Sequence, residues 1–299
     1  MSSLYDVSVI IVNYNTLSIT KSCIDSILKY TSSLNYEIIL VDNASSDGSK
    51  EIFERDNRIK YLYNDSNVGF GRANNIGAKK ASGKYLFLLN SDTLLMNNVI
   101  NEMYQFMECN KEISACGVNL LDANHKTTYS HGKFPSVLEE FSSIGFLSLY
   151  RQFYNNKLSL AQKISEGNIN DVDYISGADI FIRSEVFNMV EGFDYDYFMY
   201  YEETDLFYRL KCKGYKFCIL PELEIIHLEG GSFNKPREEI LNINRFKMQF
   251  NSKILYFKKH KPIYQIYLVK LFSILKYLIR PHIYRRYFKQ LFTIIINTK

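Results

Sequence analysis

The chain reads as an α/β protein built on a mostly parallel sheet, and three observations predict it. Apolar runs rich in β-branched and aromatic residues at Val7–Val12, Glu37–Val41, Lys60–Tyr63 and Tyr85–Leu89 alternate with segments of helical spacing at Ile19–Tyr30, Gly48–Glu54 and Arg72–Ala81. Val9-Ile10-Ile11-Val12 and Leu86-Phe87-Leu88-Leu89 are apolar without alternation, as strands covered by helices on both faces can be. Three of the strands end in polar clusters: Asn13-Tyr14-Asn15, Asp42-Asn43-Ala44-Ser45-Ser46-Asp47-Gly48 and Asn90-Ser91-Asp92. Ligands of open α/β sheets bind beyond the carboxyl ends of the strands, so three such clusters converge on one crevice. Each cluster alone is also ordinary turn and cap composition.

The second half predicts a strand at Ile180–Arg183, a helix at Glu203–Lys213 and a strand around Glu224–His227. The aromatic segment His131–Asn170 is expected to form an acceptor-side loop with helices. At 299 residues, 46% hydrophobic and 23% charged, the chain fits one large domain or a domain with an appendage. Five cysteines, none in a CxxC pair, favour free thiols over a zinc site or a disulfide framework. Met1–Asp6 leads into the first strand without a basic region and a long apolar core, so no signal peptide is expected.

Charge divides the chain. Thirteen of the 36 Lys and Arg, and none of the 32 Asp and Glu, lie between Arg245 and Lys299, which leaves the first 244 residues with 23 basic and 32 acidic groups, a net of −9. A mildly acidic body at about 1–240 therefore carries a strongly basic tail at 241–299, which points to an anionic partner.

Several residues carry candidate chemistry. Asp92, just beyond a buried strand, suits a hard divalent cation bridging a diphosphate; its ordinary role would be to cap a helix from Asn97 onward. His227, at a strand end in Glu224-Ile225-Ile226-His227, is either structural or the partner of Asp92, and a carboxylate with an imidazole suits manganese better than an all-oxygen magnesium site. Glu202, Glu203 and Asp205 open a helix, where acids meet the positive end of the dipole. Clustered carboxylates also repel, which raises a pKa and makes a better general base. Arg209 is placed to pair with Asp205 one turn earlier.

Together these stretches resemble the inverting glycosyltransferases of family 2, with the GT-A fold, and especially the bacterial rhamnosyltransferase-like branch. The resemblance rests on Val9-Ile10-Ile11-Val12-Asn13-Tyr14-Asn15, Val41-Asp42-Asn43-Ala44-Ser45-Ser46-Asp47-Gly48 and Asn67-Val68-Gly69-Phe70-Gly71-Arg72-Ala73-Asn74-Asn75-Ile76-Gly77. It continues through Leu88-Leu89-Asn90-Ser91-Asp92, Ser176-Gly177-Ala178, Gly192-Phe193-Asp194, the acids at Glu202, and His227 with Gly231-Ser232. No single motif is specific; their order is.

The resemblance implies a GT-A nucleotide-diphospho-sugar transferase fold over about 1–240. Asp42 would bind the nucleobase, helped by Asn13, Tyr14 and Asn15, while Asn67, Gly69, Asn74, Asn75 and Asn90 line the donor site. Gly177 and Ala178 match the small pair beside the donor sugar. Asp92 and His227 match the ligands of a divalent metal, Mn2+ or Mg2+. Glu203 matches the catalytic base, with Glu202 before it and Asp205 in the trailing acidic position. Two departures stand out: the DxD motif reads Asn90-Ser91-Asp92, and the base is Glu where Asp is usual. The implied partners are a nucleotide-sugar donor, dTDP-L-rhamnose or a UDP-hexose, and a glycan or polyprenyl-diphosphate-linked acceptor in bacterial O-antigen or capsule assembly. A nucleotidylyltransferase would need a Gly-rich loop with Arg and Lys after the first strand, where Asn13-Tyr14-Asn15-Thr16 stands. A catalytically dead sugar-nucleotide binder would not need the acids at 202, 203 and 205.

From Ile263 to Arg280, helical projection places Tyr267, Leu268, Leu271, Phe272, Ile274, Leu275, Leu278 and Ile279 on one arc, and Gln265, Lys270, Ser273, Lys276 and Arg280 on the other. A second such pattern follows Pro281 through Tyr284, Tyr287, Phe288, Leu291 and Phe292, opposed by Arg285, Arg286 and Lys289. Lys270 and Lys276 interrupt any run long enough to span a bilayer. The tail is therefore expected to lie on an anionic membrane, placing the protein in the cytoplasm at the inner face of the cell membrane. Packing on the body or a homodimer contact is the rival use of these helices. No nucleic-acid partner is expected, since no binding motif accompanies the charge.

Overall fold

The computed structural model describes residues 4–142, 144, 170–228, 242–279 and 287–298. The chain divides into two compact units: Met1–Gly132, Lys163–Phe198 and Glu202–Lys235 in the first; Lys133–Gln162, Met199–Tyr201 and Pro236–Lys299 in the second.

The first unit is a mostly parallel sheet flanked by helices, as expected. β1 (Tyr5–Asn13) pairs in parallel with β2 (Tyr36–Asp42) and β4 (Gly83–Asn90), and β2 pairs in parallel with β3 (Lys60–Tyr63). β10 (Asp179–Arg183) runs antiparallel between β4 and β6 (Ile113–Leu121); β11 (Lys216–His227) returns parallel to β6. The short β5 (Thr93–Leu95) closes the far edge antiparallel to β11, giving the order β3-β2-β1-β4-β10-β6-β11-β5 with β8 (Asn170–Asp171) beside β11. β7 (His131–Gly132) and β9 (Tyr174–Ile175) pair separately. Val9, Ile10, Ile11, Phe87, Leu88 and Leu89 are buried on both faces, which is why their runs need not alternate.

Helices α1 (Leu17–Tyr30), α2 (Ser49–Phe53) and α3 (Phe70–Ala78) connect the first four strands, and α4 (Val99–Cys109) follows β5. α4 is preceded by Asn98, so Asp92 is not a helix cap. α6 (Ser184–Met189) follows β10, and α7 (Glu202–Cys212) leads into β11.

The second unit is helical: α5 (Val137–Ser142), α8 (Ile243–His260), α9 (Ile263–Ile279) and α10 (Phe288–Asn297). It is wider than the 241–299 tail, because the start of the 131–170 segment joins it and so does Met199–Tyr201. α8 is an addition to the sequence reading. Its Asn242 accepts a hydrogen bond from Arg245 N at 3.0 Å, and Lys258, Lys259 and His260 fill its last turn, complementing the dipole at both ends. Lys253 lies within this unit against Glu140, and Ser252 Oγ donates to Met199 O at 2.8 Å. No helix among the described residues is long and apolar enough to cross a membrane. Gly231-Ser232 and the stretch from Arg280 to Arg286 lie outside the described residues.

Candidate active site

Register brings the three polar clusters together. Asn13 stands opposite Asp42, and Val12 opposite Asn90, so neighbouring strands end at one level. Asp42 is fully buried; it accepts from Asn13 Nδ2 at 2.9 Å and from Ser45 N at 2.7 Å. Asn13 Oδ1 accepts from Thr16 Oγ1 and Thr20 Oγ1 at 2.8 and 2.9 Å. Ser45 Oγ takes Asn13 Nδ2 and Asn15 N, and Asn15 Oδ1 takes Ser46 N. Asn13, Asn15 and Asp42 thus weld two loops into one rim, from which Tyr14 projects half-exposed.

Asn67 Oδ1 accepts from Gly69 N at 2.9 Å, closing a local turn before α3. Gly69 has φ +91°, and a methyl group there would lie 2.2 Å from Phe198 O. Only glycine lets the backbone come this close, and Phe70 N then donates to Phe198 O at 3.1 Å.

Asp92 and His227 meet, and β5 explains how. His227 pairs with Thr93 across β11 and β5, and Leu228 N donates to Asp92 O at 2.9 Å. His227 Nε2 lies 3.2 Å from Asp92 Oδ1 and 3.4 Å from Asn90 Nδ2. Two donor atoms so spaced fit adjacent vertices of an octahedron with bonds of 2.0–2.1 Å, whose edge is about 3 Å. Asn90, in place of the first acid of a DxD motif, adds a polar neighbour without charge. No group of three or more His, Cys, Asp or Glu among the described residues forms a complete metal cage. An ion held here would complete its coordination with donor and water oxygens.

The three acids of α7 have three different surroundings. Glu203 approaches Gly177: a methyl at 177 would lie 3.7 Å from Phe70 Cε1 and 4.0 Å from the Glu203 stem. The next residue, Ala178, accepts from Asn90 N at 2.9 Å, which ties Glu203 to the Asn90–Asp92–His227 cluster through two neighbouring residues. Burial pushes the Glu203 carboxyl above the usual carboxylate range. Burial, then the charge of Glu203, pushes Glu202 well above it, and Glu202 Oε2 has no hydrogen-bond partner among the described residues.

Comparison with known proteins fits this geometry. Residues 8–176, more than half of the chain, match the family described as glycosyl transferase family 2. The chain belongs to this family. A curated family relative, rhamnosyltransferase WbbL of Escherichia coli K12, is 29% identical over 216 residues, covering 68% of this chain and 78% of its own. Glycosyltransferase GlyG of Streptococcus pneumoniae is 38% identical over 103 residues, 33% of this chain and 34% of its own length; the chain spans about a third of that relative. Among solved structures, the mannosyltransferase PcManGT of Pyrobaculum calidifontis, in complex with GDP-Man and Mn2+, superposes with a TM-score of 0.59 at 14% identity, covering 98% of this chain and 85% of its own. GalNAc-T7 with UDP, GalNAc and Mn2+ gives a TM-score of 0.63 at 16% identity, covering 98% of this chain and 57% of its own. The fold is of the GT-A type.

Two of the expected site residues have partners within the chain. Asp205 is fully buried, and its carboxylate takes Arg209 Nε at 2.7 Å. Arg209 also donates to Val190 O and Gly192 O at 2.6 and 2.7 Å, so the Asp205–Arg209 pair braces the corner before α7. Asn75, expected at the donor, spends both amide atoms on Phe193: Nδ2 donates to its carbonyl at 2.7 Å, and Oδ1 accepts from its N–H at 2.9 Å. Asn74 is buried in α3 with Nδ2 donating to Phe70 O at 3.1 Å. Arg72, not singled out in the sequence, also donates to Tyr195 O through Nε at 2.7 Å. This part of the motif clamps the 192–198 loop ahead of α7.

Asn43 went unnoticed too: it accepts from Asn64 Nδ2 and donates to Gly69 O, linking the second and third loops. So did Asp179, whose buried carboxyl accepts from Val118 N at 2.6 Å and is pushed well above the usual range by burial. Asn43 stood inside a quoted motif, which was its available signal; Asp179 follows Ala178 with none.

Proposed function

We propose that this family 2 protein transfers a sugar, with inversion, from a nucleotide-diphosphate donor to an acceptor hydroxyl. The carrying observation is the 3.2 Å approach of Asp92 and His227, with the Glu203 stem beside Gly177, whose neighbour Ala178 accepts from Asn90 N. Asp92 and His227 are the residues that would hold a divalent cation, Mn2+ or Mg2+, which would supply positive charge where the diphosphate leaves. Glu203 takes the proton of the acceptor hydroxyl, and the freed oxygen lone pair forms the new bond at the anomeric carbon. The bond to the diphosphate breaks, and its electrons leave with the nucleoside diphosphate. The Asn13–Asp42 rim, with Tyr14 and Asn15, receives the nucleobase; Asn67, Gly69 and Asn90 shape the donor site beside it.

The likeness to a rhamnosyltransferase, WbbL, supports a rhamnosyl donor, which we take as dTDP-L-rhamnose, with a UDP-hexose as the second reading. The setting is assembly of a bacterial surface polysaccharide, O-antigen or capsule, on a glycan or polyprenyl-diphosphate-linked acceptor at the inner face of the cell membrane. Nucleotide-induced thermal shifts across dTDP-, UDP- and GDP-sugars with manganese test the donor: stabilisation by dTDP-rhamnose above the others is expected, and a larger shift with a UDP-sugar replaces it. Glu203→Gln is expected to keep that shift and lose turnover; surviving turnover removes Glu203 as the base.

A further inference from the structure

The helical unit carries an apolar face that it leaves open. At about 100° per residue, Ile263, Tyr264, Tyr267, Leu271, Leu278 and Ile279 of α9 share an arc of roughly 160°, and each is 47 to 69% exposed. The covered side is opposite. Val269, Ser273 and Tyr277 are buried; Tyr277 meets Phe246 of α8 at 6.0 Å, and Phe272 meets Phe141 of α5 at 5.4 Å. Lys270 Nζ donates to the carbonyls of Ile296 and Thr298 at the end of α10, at 3.3 and 2.5 Å. The helix is therefore amphipathic in reverse, with Lys270 and Ser273 toward its own unit and tyrosine and aliphatic side chains outward. A surface helix of a globular protein shows the opposite arrangement, and an exposed apolar face of this kind marks an interaction surface.

A lipid interface and a second copy of the chain both suit apolar chemistry, and charge separates them. The 245–299 segment holds thirteen basic residues and no acid. Lys258 and Lys259 are exposed just before Pro262 and Ile263, at one end of the apolar stripe. A second copy would bring like charge against it, whereas an anionic interface neutralises it. With 17 residues, α9 is about 25 Å long, suited to lying in the plane of an interface.

We propose that the Tyr264, Tyr267, Leu271 and Leu278 face of α9 docks into the surface of an anionic lipid bilayer, with Lys258 and Lys259 among the headgroups. This deepens the membrane placement proposed above and is independent of the sugar transferred. Flotation of the full chain with vesicles of equal parts phosphatidylglycerol and phosphatidylcholine, and of phosphatidylcholine alone, tests it. Tyr267→Ser with Leu271→Ser is expected to lower partition into the anionic vesicles about tenfold or more. Lys258→Ala and Lys259→Ala should each lower it about fivefold there and leave partition into phosphatidylcholine unchanged. Nucleotide-induced thermal stabilisation, retained in every variant, shows that the fold is intact. Undiminished flotation of the Tyr267/Leu271 double variant overturns the proposal. So does a dimer in lipid-free sedimentation that this variant dissociates, which assigns the face to a second copy. Loss of nucleotide stabilisation in the parent chain with flotation intact would overturn the transferase reading alone.

Discussion

The sheet unit buries carboxylates and amides, while the helical unit exposes tyrosines and leucines. Asn13, Asp42, Asn75, Asp179, Glu202 and Asp205 lie inside the first; Tyr264, Tyr267 and Leu271 lie on the outside of the second. Hydrophobic sorting places neither set there, so each needs a reason. In the sheet unit, hydrogen bonding divides the buried groups. Asn13, Asn75 and Asp205 meet partners within the chain and hold loops in place. Glu202, next to Glu203, keeps an oxygen without a partner among the described residues. In the helical unit the departure is one of missing cover. Chemistry is therefore sought where buried polar atoms lack a partner, and docking where apolar atoms lack cover.

The largest expected effect tests this division within a single helical turn. Glu203→Gln removes the base and is expected to lower kcat by about 10²–10⁴-fold, the range for a general base, with unchanged nucleotide-induced stabilisation. Because burial raises the Glu203 pKa and only its ionised form takes a proton, the parent rate should climb with pH through a pKa above the ordinary glutamate value. A rate that stays flat through that region, or an acid limb at the ordinary value, breaks the assignment.

Next in size is the Asp92–His227 pair. Asp92→Ala or His227→Ala should cut metal-supported turnover by about a hundredfold or more, corresponding to several kcal/mol of charge stabilisation. Titration of the parent chain with manganese should give one site that each variant loses. Binding of manganese to both variants as tightly as to the parent would place the ion elsewhere.

Asp205→Asn should act differently although Asp205 lies two residues from Glu203. It separates a buried carboxylate from Arg209, which is 23% exposed, and should lower unfolding stability by about 2 kcal/mol, read as a lower urea midpoint. The pH profile of the remaining activity should keep the Glu203 limb. A shifted limb would return Asp205 to the catalytic group.

That contrast also shows what the sequence could carry. The Asp205–Arg209 pair was legible because i and i+4 face one another on any helix. β1, β2 and β4 were legible within about two residues, because buried parallel strands are continuous apolar runs ended by polar residues, and the less buried β3 from its Tyr-Leu-Tyr run. β6 was not: Ser114 and Gly117 dilute its run, and neighbouring strands supply the burial. β11 begins at Lys216, earlier than expected, because Pro221, Glu222 and Glu224 interrupt its pattern where the pairing shifts between Leu220 and Glu224. The meeting of Asp92 and His227 depends on β5 joining β11, a pairing between segments more than 130 positions apart that no local pattern encodes. The bonds of Asn75 to Phe193 were not legible either, because a family motif records that a residue is needed and says nothing of whether it touches ligand or loop.

Glu202 gives the smallest effect and the sharpest test of whether an unpartnered atom marks chemistry. Burial, then the charge of Glu203, raises its folded-state pKa, so the native chain binds this proton more tightly than the unfolded chain. Between the unfolded-state and folded-state values the native state holds more protons, and stability must fall as pH rises through that window. Glu202→Gln removes the ionisation and should flatten that part of the urea-midpoint profile, with a gain of about 1 kcal/mol at the alkaline end, where the parent chain buries a charge without a partner. Glu203 ionises first, since its charge is part of what holds Glu202 protonated. Glu202 is therefore neutral while Glu203 titrates, and Glu202→Gln should leave the Glu203 limb of the rate profile in place. A limb that moves would show Glu202 acting on Glu203 by more than charge. Should Glu202→Gln instead lower stability across the whole pH range, Oε2 has a structural partner, and Glu202 joins Asn13, Asn75 and Asp205 as part of the frame.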